Sequence, residues 1–546
     1  MAIKVVIVGG VAGGATAAAR LRRLDEDAQI VLLERGEYVS FANCGLPYHI
    51  GGVIPNREAL LVQTAEGMRT RYRIDVRTGH EVLRIHRQEK QVEVLQRQTG
   101  QVYQEDYDYL VLSPGAEPIR PDLPGIDARG IFTLRTMEHM DSIKEFIKTS
   151  RPQRAVVVGA GFIGLEMAEN LHEIGLKVNI VEMAPQVLTQ LDKEMAAHVR
   201  ARLRKVGVGL HLGRAVKGFQ ELKDGLEVEL ADGSVLKTDM VILAAGVRPD
   251  TRLAKECGLL IGRSGIQVDD YLQTSDPAIY ALGDAIEVRD PILNRSIPIP
   301  LAGPANKQGR IVANNICGRR ERYSGSVGTA IVQVFGLHVG VAGSNRRSLE
   351  EEKIDFSSVV IHPLSHAGYY PGAKPLAIKV HFTRGGRLLG AQVVGEQGVD
   401  KRIDLLATAI KVGLTVYDLQ GLELAYAPPF SSAKDPVNMV GYVAGNVCNG
   451  DVDVVNWDQI QDRFVLDVRE PSEYAAGHIP GAVNIPLGQL RDRLAELPDG
   501  EIVVYCRVGL RSYVATRILM QRGFRSVLNL NGGYTTYSAV MADEGS

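Results

Sequence analysis

Two cysteines stand in stretches suited to sulfur chemistry. Cys44 lies in SFANCGLPY, just ahead of a predicted helix, with no second cysteine four or five residues away. The thiolate is the reactive form of cysteine, and a helix start after Cys44 is expected to lower its pKa. The bland alternative is a small buried hydrophobe. If Cys44 does redox chemistry, something must complete the pair. Cys506 ends a strand-like run, EIVVYC, and Arg507-Val508-Gly509-Leu510-Arg511 curl into the loop before the next predicted helix. Successive backbone N–H groups in such a loop form an anion nest, and the helix start adds its dipole; together they stabilise a thiolate or a persulfide. Cys257, Cys317 and Cys448 are scattered and read as structural. Five cysteines with these spacings are neither a disulfide framework nor a zinc site, so no metal is expected and a reducing compartment is.

Two segments are built to hold nucleotides. Residues 3–34 and 154–182 each read as a strand, a glycine-rich turn, an apolar helix and a strand ending in Glu. In the second, Gly159, Gly161 and Gly164 complete G-x-G-x-x-G, and Glu182 lies 18 residues past the last glycine. A carboxylate there binds a ribose 2′-OH and repels a 2′-phosphate, so NADH is favoured over NADPH. In the first, Gly9 and Gly14 fit, Val11 replaces the second glycine, and Gly13 is expected to compensate in part. Glu34 follows Gly14 by 20 residues. The stretches YDYLVLSPGAEP, DMVILAAGVRPD and TSDPAIYALGDA read as strands ending in turns. Asp284, at the last of these, suits either the ribityl chain of a flavin or a helix N-cap. Residues 328–445 mix strand and helix without a nucleotide motif, 444–454 are turn-rich, and the last ninety residues alternate short strands and helices.

A chain of 546 residues exceeds one domain. Its net charge of −2 gives no argument for nucleic acid or an anionic membrane. MAIKVVIVGG reads as a first strand rather than a signal peptide, and no eighteen-residue apolar run occurs, so a cytoplasmic protein is expected.

The order of these parts, with SPGAEP, AAGVRP and YALGDA, resembles the pyridine nucleotide–disulfide oxidoreductase family over roughly residues 1–445. The resemblance implies an α/β fold class: two Rossmann-like dinucleotide-binding domains, then an α+β dimerisation domain. An FAD-binding domain is expected at 1–150 and 251–327, an NAD-binding domain at 151–250 and a dimerisation domain at 328–445. It implies FAD on Gly9, Val11, Ala12, Gly14, Glu34, Arg35, Ser113, Gly115, Asp284 and Ala302. NADH would lie on Gly159, Gly161, Phe162, Ile163, Gly164, Glu182 and Gly246. The single cysteine resembles the branch of coenzyme A disulfide reductases, persulfide reductases, NADH peroxidases and NADH oxidases. There the partner of the thiol is an oxygen, as sulfenate, or the sulfur of a small thiol, and so comes from outside the chain. By resemblance to the coenzyme A disulfide reductases, Arg20, Arg23 and Arg71 would meet phosphates of coenzyme A. Ser40, Asn43 and Asn306 would meet its pantetheine arm, with Arg310 and Lys434 also at the coenzyme. Arg71 stands where those relatives carry lysine, which changes the geometry of that contact. A basic helix face is otherwise ordinary solvated surface. The family's third domain reaches across a homodimer to the partner's flavin, which makes Tyr426, in AYAPPFS, and Tyr369 and Tyr370, in HAGYYPGA, candidate proton donors; the alternative is packed tyrosines.

FVLDVREPSEYAAGHIPGAVNIP and VYCRVGLRS resemble a rhodanese domain, expected at 456–546 after a linker at 446–455. The six-residue loop from Cys506 to Arg511 suits a sulfane sulfur, whereas related phosphatases have a longer one; Arg507, Gly509 and Arg511 line it. Asp467 and Arg469 are expected to hold the fold. The fusion implies an FAD-dependent NADH:persulfide or polysulfide reductase that also reduces coenzyme A disulfide. One rival is an NADH peroxidase or oxidase cycling through a Cys44 sulfenate. Another is a redox-sensing flavoprotein that binds a partner.

Overall fold

After Lys4 the strand Lys4–Val8 is apolar because it has neighbours on both edges of a parallel sheet; Val5, Val6 and Ile7 are fully buried. It pairs in parallel with Gln29–Glu34, Val6 opposite Val31, and with Tyr109–Leu112, Val6 opposite Leu110. Ile279–Ala281 and Asp75–Thr78 complete a five-stranded parallel sheet. Arg154–Val158 heads a second one, flanked by Lys177–Glu182 and Met240–Leu243 with Gly209–Leu212 and Ile131–Thr133 at its edges. This computed structural model describes residues 2–544, without the side chains of 543 and 544. It divides into two units, Met1–Pro185 with Val208–Gly328, and Gln186–Gly207 with Thr329–Ser546. Both parallel sheets belong to the first. Each carries a three-stranded antiparallel flap, His80–Asp106 and Val216–Thr238.

The second unit holds an antiparallel sheet in which Leu376–Phe382 and Leu388–Gly395 are buried at every position. It also holds a five-stranded parallel sheet centred on Glu501–Tyr505 and Ser526–Leu530. The helix Lys193–Lys205 belongs with this unit, although its sequence lies among the residues expected to bind NAD; it packs on the helix Gly533–Glu544. Asp192 and Glu194 flank the buried Lys379 ammonium, and the His381 Nε2 bonds Asp192 at 2.8 Å. Charges this deep persist only when paired. Of the residues 446–455 expected as linker, the helix Pro436–Cys448 takes the first three. The strand Asp453–Val455 takes the last three and joins the parallel sheet beside Ser526–Leu530.

No helix among the described residues is long and apolar enough to cross a membrane.

Candidate active site

The two glycine turns repeat one geometry. Gly9 (φ 95°) and Gly159 (φ 109°) adopt left-handed backbone, and a Cβ on either would lie about 2 Å from the carbonyl oxygen of Ser113 or Ala244. A Cβ on Gly14 or Gly164 would strike the carbonyl of Gly9 or Gly159, so these glycines let helix approach turn. Gly161 differs: nothing lies within 4 Å of its would-be Cβ, so that position faces open space. The helices Ala12–Leu24, Phe162–Glu173 and Ala302–Ile316 each begin with no side-chain cap and no acidic residue in the first turn. Their N-terminal amides are left for an anionic ligand. Glu34 accepts the amides of Gly10 and Gly36 (both 2.8 Å), and Glu182 those of Ala160 (2.7 Å) and Ala184 (2.8 Å). Each carboxylate is thus fixed beside its turn, with lone pairs left for a ribose. A small cavity brings Gly9, Glu34 and Arg35 together with Pro114, His80 and Asp250. Arg35 is paired there with Glu117 and Asp250. These observations fit FAD in the first turn and a dinucleotide in the second.

Gly13 does not compensate for Val11. A Cβ on it would meet the Leu282 side chain at 2.1 Å and the Ala305 carbonyl at 3.3 Å, and one on Gly309 would meet the Gly13 carbonyl at 2.4 Å. Gly13 serves the close crossing of Ala12–Leu24 and Ala302–Ile316. Val11 itself is the residue before the first helix, where Gly161 stands in the second turn.

Ser40 turns the chain from the first glycine motif toward Cys44. Its backbone is left-handed (φ 49°), its amide donates to the Gly10 carbonyl (2.8 Å), and its carbonyl accepts from Val62 (3.0 Å). Asn43, Cys44 and Gly45 form a 3-10 turn running into the helix Leu46–Ile50, which buried Leu46 and Ile50 anchor. Cys44 is exposed and free, as are the other four cysteines in bonding state. Its pKa is raised rather than lowered. Desolvation by the surrounding protein is the main cause, the Glu166 and Asp284 carboxylates add to it, and Arg135 opposes them. The helix expected to lower the pKa has only five residues, too few for a substantial dipole.

Besides Asp284, three residues that sequence reading did not single out, Arg135, Glu166 and Tyr48, lie near Cys44. Arg135 donates to Asp284 at 2.8 Å, and Gly115 (φ 77°) lies against the Arg135 guanidinium. Asp284 sits inside a 3-10 turn without capping it. Tyr48, four residues after Cys44, donates to Glu166 Oε1 at 3.2 Å. Desolvation, helped by Glu169, pushes Glu166 up to about 6, and Tyr48 is raised by burial and by Glu166. The signal was a carboxylate within the apolar run FIGLEMAENL. On the far side of the turn, Ile163 is exposed beside Phe162, and Gly246 (φ 101°) accepts the Ile119 amide at 2.9 Å.

From Ala302, the positions Asn306, Arg310 and Asn314 recur every fourth residue along one helix face. Asn306 Oδ1 accepts from Thr16 (2.5 Å), and Asn314 Oδ1 accepts from Arg20 Nε (3.0 Å). Arg310, Arg319 and Arg23 lie close enough to Arg20 to lower its pKa, after desolvation, with Glu321 opposing. The structure thus gathers Arg20, Arg23 and Arg310 and adds Arg319. Arg71 is exposed on the helix Ala65–Tyr72, whose end the buried Arg22 ties to Ala12–Leu24 through the carbonyls of Tyr72 (2.9 Å) and Arg73 (3.0 Å).

In the second unit, buried Arg402 binds the Ser365 carbonyl (2.9 Å), Ser431 Oγ (3.2 Å) and Asp435 (3.0 Å). It thereby fixes both tyrosine-bearing segments. The Tyr369 and Tyr426 hydroxyls meet at 2.6 Å. Tyr370 stands apart, edge-on to His366 at 5.7 Å, and Lys434 is exposed. Cys506 is buried at the end of Glu501–Tyr505. Gly509 N donates to its Sγ at 3.2 Å and Ser512 Oγ at 3.5 Å, and the Arg511 guanidinium lies within electrostatic reach of it. Arg507 is exposed on the loop. Asp467 and Arg469 are buried against each other (2.7 Å), with Arg469 bonding the Gly477 carbonyl, a structural brace.

Residues 3–309 match the pyridine nucleotide-disulphide oxidoreductase family, 329–436 its dimerisation domain and 454–539 the rhodanese-like domain. A coenzyme A disulfide reductase of Staphylococcus epidermidis is 37% identical over 444 residues, 81% of this chain and 99% of that one. The crystal structure of reduced Bacillus anthracis CoADR-RHD superimposes with TM-score 0.97 at 50% identity, covering 100% of this chain and 99% of that one. An NAD-dependent persulfide reductase from A. fulgidus gives TM-score 0.93 at 39% identity, over 98% and 100%. The chain thus belongs to the pyridine nucleotide-disulphide oxidoreductase family and carries a C-terminal rhodanese domain.

Proposed function

We propose that the chain is an NADH-dependent flavoprotein that reduces persulfide or polysulfide, and also coenzyme A disulfide, while Cys506 carries sulfane sulfur. One observation supports this most. Along the face that begins at Ala302, Asn306 is followed by an arginine group of Arg20, Arg23, Arg310 and Arg319, while the lone Cys44 thiol stays exposed and free. Such a stripe suits an extended thiol with an anionic tail. The relatives named for coenzyme A disulfide and persulfide reduction support the same substrates.

When bound at their glycine turns, FAD and NADH supply the two electrons that cleave a sulfur–sulfur bond. The chain's own residues do the rest. The Cys44 thiolate attacks the coenzyme A-side sulfur of the persulfide, the sulfur–sulfur bond breaks, and hydrosulfide leaves with the electron pair. Two-electron reduction of the resulting mixed disulfide returns the Cys44 thiolate and the coenzyme A thiol. Arg135 is the cation that holds the thiolate charge. The paired Tyr369 and Tyr426 hydroxyls supply a proton to the departing sulfur in a homodimer. Glu182 sets the preference for NADH. The cytoplasm, with its reduced thiols, is the compartment this chemistry suits.

The test is NADH consumption by the purified protein with coenzyme A persulfide, coenzyme A disulfide and hydrogen peroxide. The persulfide and disulfide are turned over, and Cys44→Ser lowers both rates by about 10⁴-fold or more. Cys506→Ser keeps them while losing sulfur transfer from a sulfane donor. Faster turnover of peroxide than of coenzyme A persulfide would refute the proposal in favour of a sulfenate cycle.

A further inference from the structure

The sulfur-carrying loop contains one group whose charge is already answered. Arg511, in the first turn of the helix Leu510–Gln521, lies within electrostatic reach of the Cys506 sulfur and pairs with Glu473 on the helix Pro471–Ala475. The second contact is a two-point fork, Nη1 to Oε2 at 2.6 Å and Nη2 to Oε1 at 2.8 Å. Both side chains are about a third exposed, 32% and 30%, so the pair meets solvent beside the Cys506 loop. Glu473 is itself fixed, since it also accepts the Glu470 amide at 3.2 Å in a capping box. Arg511 holds the Glu473 carboxyl down at about 2, so the carboxylate keeps its charge at any working pH.

We propose that Glu473 sets the charge selectivity of the Cys506 site: it disfavours doubly charged sulfane donors such as thiosulfate and favours alkyl persulfides, which carry one charge at the reacting end. This rests on the reading of Cys506 as a sulfur carrier. In each case the Cys506 thiolate attacks the sulfane sulfur, and the donor's sulfur–sulfur bond breaks. Sulfite leaves from thiosulfate, or a thiolate from the persulfide, with the electron pair, and Cys506 persulfide remains. The two donors differ in what they meet on approach. Arg511 would draw in an anion, but the Glu473 carboxylate cancels its field. Coulomb work scales with the donor's charge, so removing Glu473's charge acts twice as strongly, on a logarithmic scale, on a dianion as on a monoanion. For a donor about 6 Å from the carboxylate in a water-like medium, the gain is about tenfold for thiosulfate and about threefold for the persulfide.

The experiment compares full-length wild type, Glu473→Gln and Glu473→Asp. Glutamine loses the charge and keeps one oxygen to accept from Arg511; aspartate keeps the charge. Sulfur loading of the Cys506 peptide by thiosulfate and by 2-hydroxyethyl persulfide is followed by mass spectrometry. Alkylation of the same peptide by iodoacetate and by iodoacetamide tests charge alone, independent of turnover. In Glu473→Gln, kcat/KM rises about tenfold for thiosulfate and about threefold for the persulfide, and the iodoacetate-to-iodoacetamide ratio rises, while Glu473→Asp keeps wild-type ratios. Equal changes for both donors, or an unchanged alkylation ratio, would overturn the proposal and leave Glu473 a structural brace. If wild-type Cys506 took up sulfur from neither donor, the reading of Cys506 as a carrier would fall first.

Discussion

Acid should loosen the rhodanese domain from the antiparallel sheet, and the chain's single tryptophan should report it. His362 is half-buried just past the antiparallel-sheet strand Ser357–Ile361, its Nε2 2.8 Å from Thr536 Oγ1 on the helix Gly533–Glu544 and its ring edge-on to His198 at 6.1 Å. Desolvation first, then the His198 ring, lower its pKa from 6.5 to about 3. The released state therefore binds one more proton than the docked state between those values, and stability falls as pH drops through that window. For His362 alone the loss is about 2 kcal/mol at pH 5 and about 3 kcal/mol at pH 4. His198 and His381, both lowered mainly by burial, add to it with the same sign. Asp192 has the opposite kind of partner: Lys379 and His381 hold its pKa far down, so its protonation lies below this window. Trp457 is buried at the same junction with Ala197 and Val540, and Lys193 lies 4.9 Å from its ring. Its emission should shift to longer wavelength between pH 6 and pH 4 before the parallel sheets of the first unit unfold, and His362→Gln should move that transition to lower pH. Emission constant down to pH 4, or the same midpoint in His362→Gln, would refute the reasoning.

Two further predictions concern the ligand sites. Because nothing lies within 4 Å of a Cβ on Gly161, Gly161→Ala should melt like wild type yet bind NADH at least tenfold more weakly; Gly164→Ala, whose Cβ would lie 2.0 Å from the Gly159 carbonyl, should lower the melting temperature instead. Arg310→Ala should raise KM for coenzyme A persulfide about tenfold at low salt while leaving turnover of a small uncharged disulfide unchanged, as initial rates over a salt series would show.

Local signals in the sequence carried the family and the fold class. A glycine turn needs three positions close in sequence, and the Cys506 loop needs six, so both could be read directly. The surroundings of Cys44 could not. Glu166 and Arg135 reach it from elements 122 and 91 residues away, and only burial of their region makes them matter. Distance also hid the Glu473–Arg511 fork and the pairing of Asp192 and Glu194 with Lys379. The expected fall in the Cys44 pKa failed because a five-residue helix is outweighed by desolvation. Gly13 misled because a glycine in a motif can serve packing against a helix nearly 300 residues on, as Gly309 shows.

The central claim is that Cys44 finds its second sulfur on a diffusible thiol. Peptide mass spectrometry of the oxidised protein, isolated without reductant, tests it most directly. The Cys44 peptide should be heavier by one coenzyme A, released by NADH. A Cys44 peptide joined to any of Cys257, Cys317, Cys448 or Cys506 would contradict it.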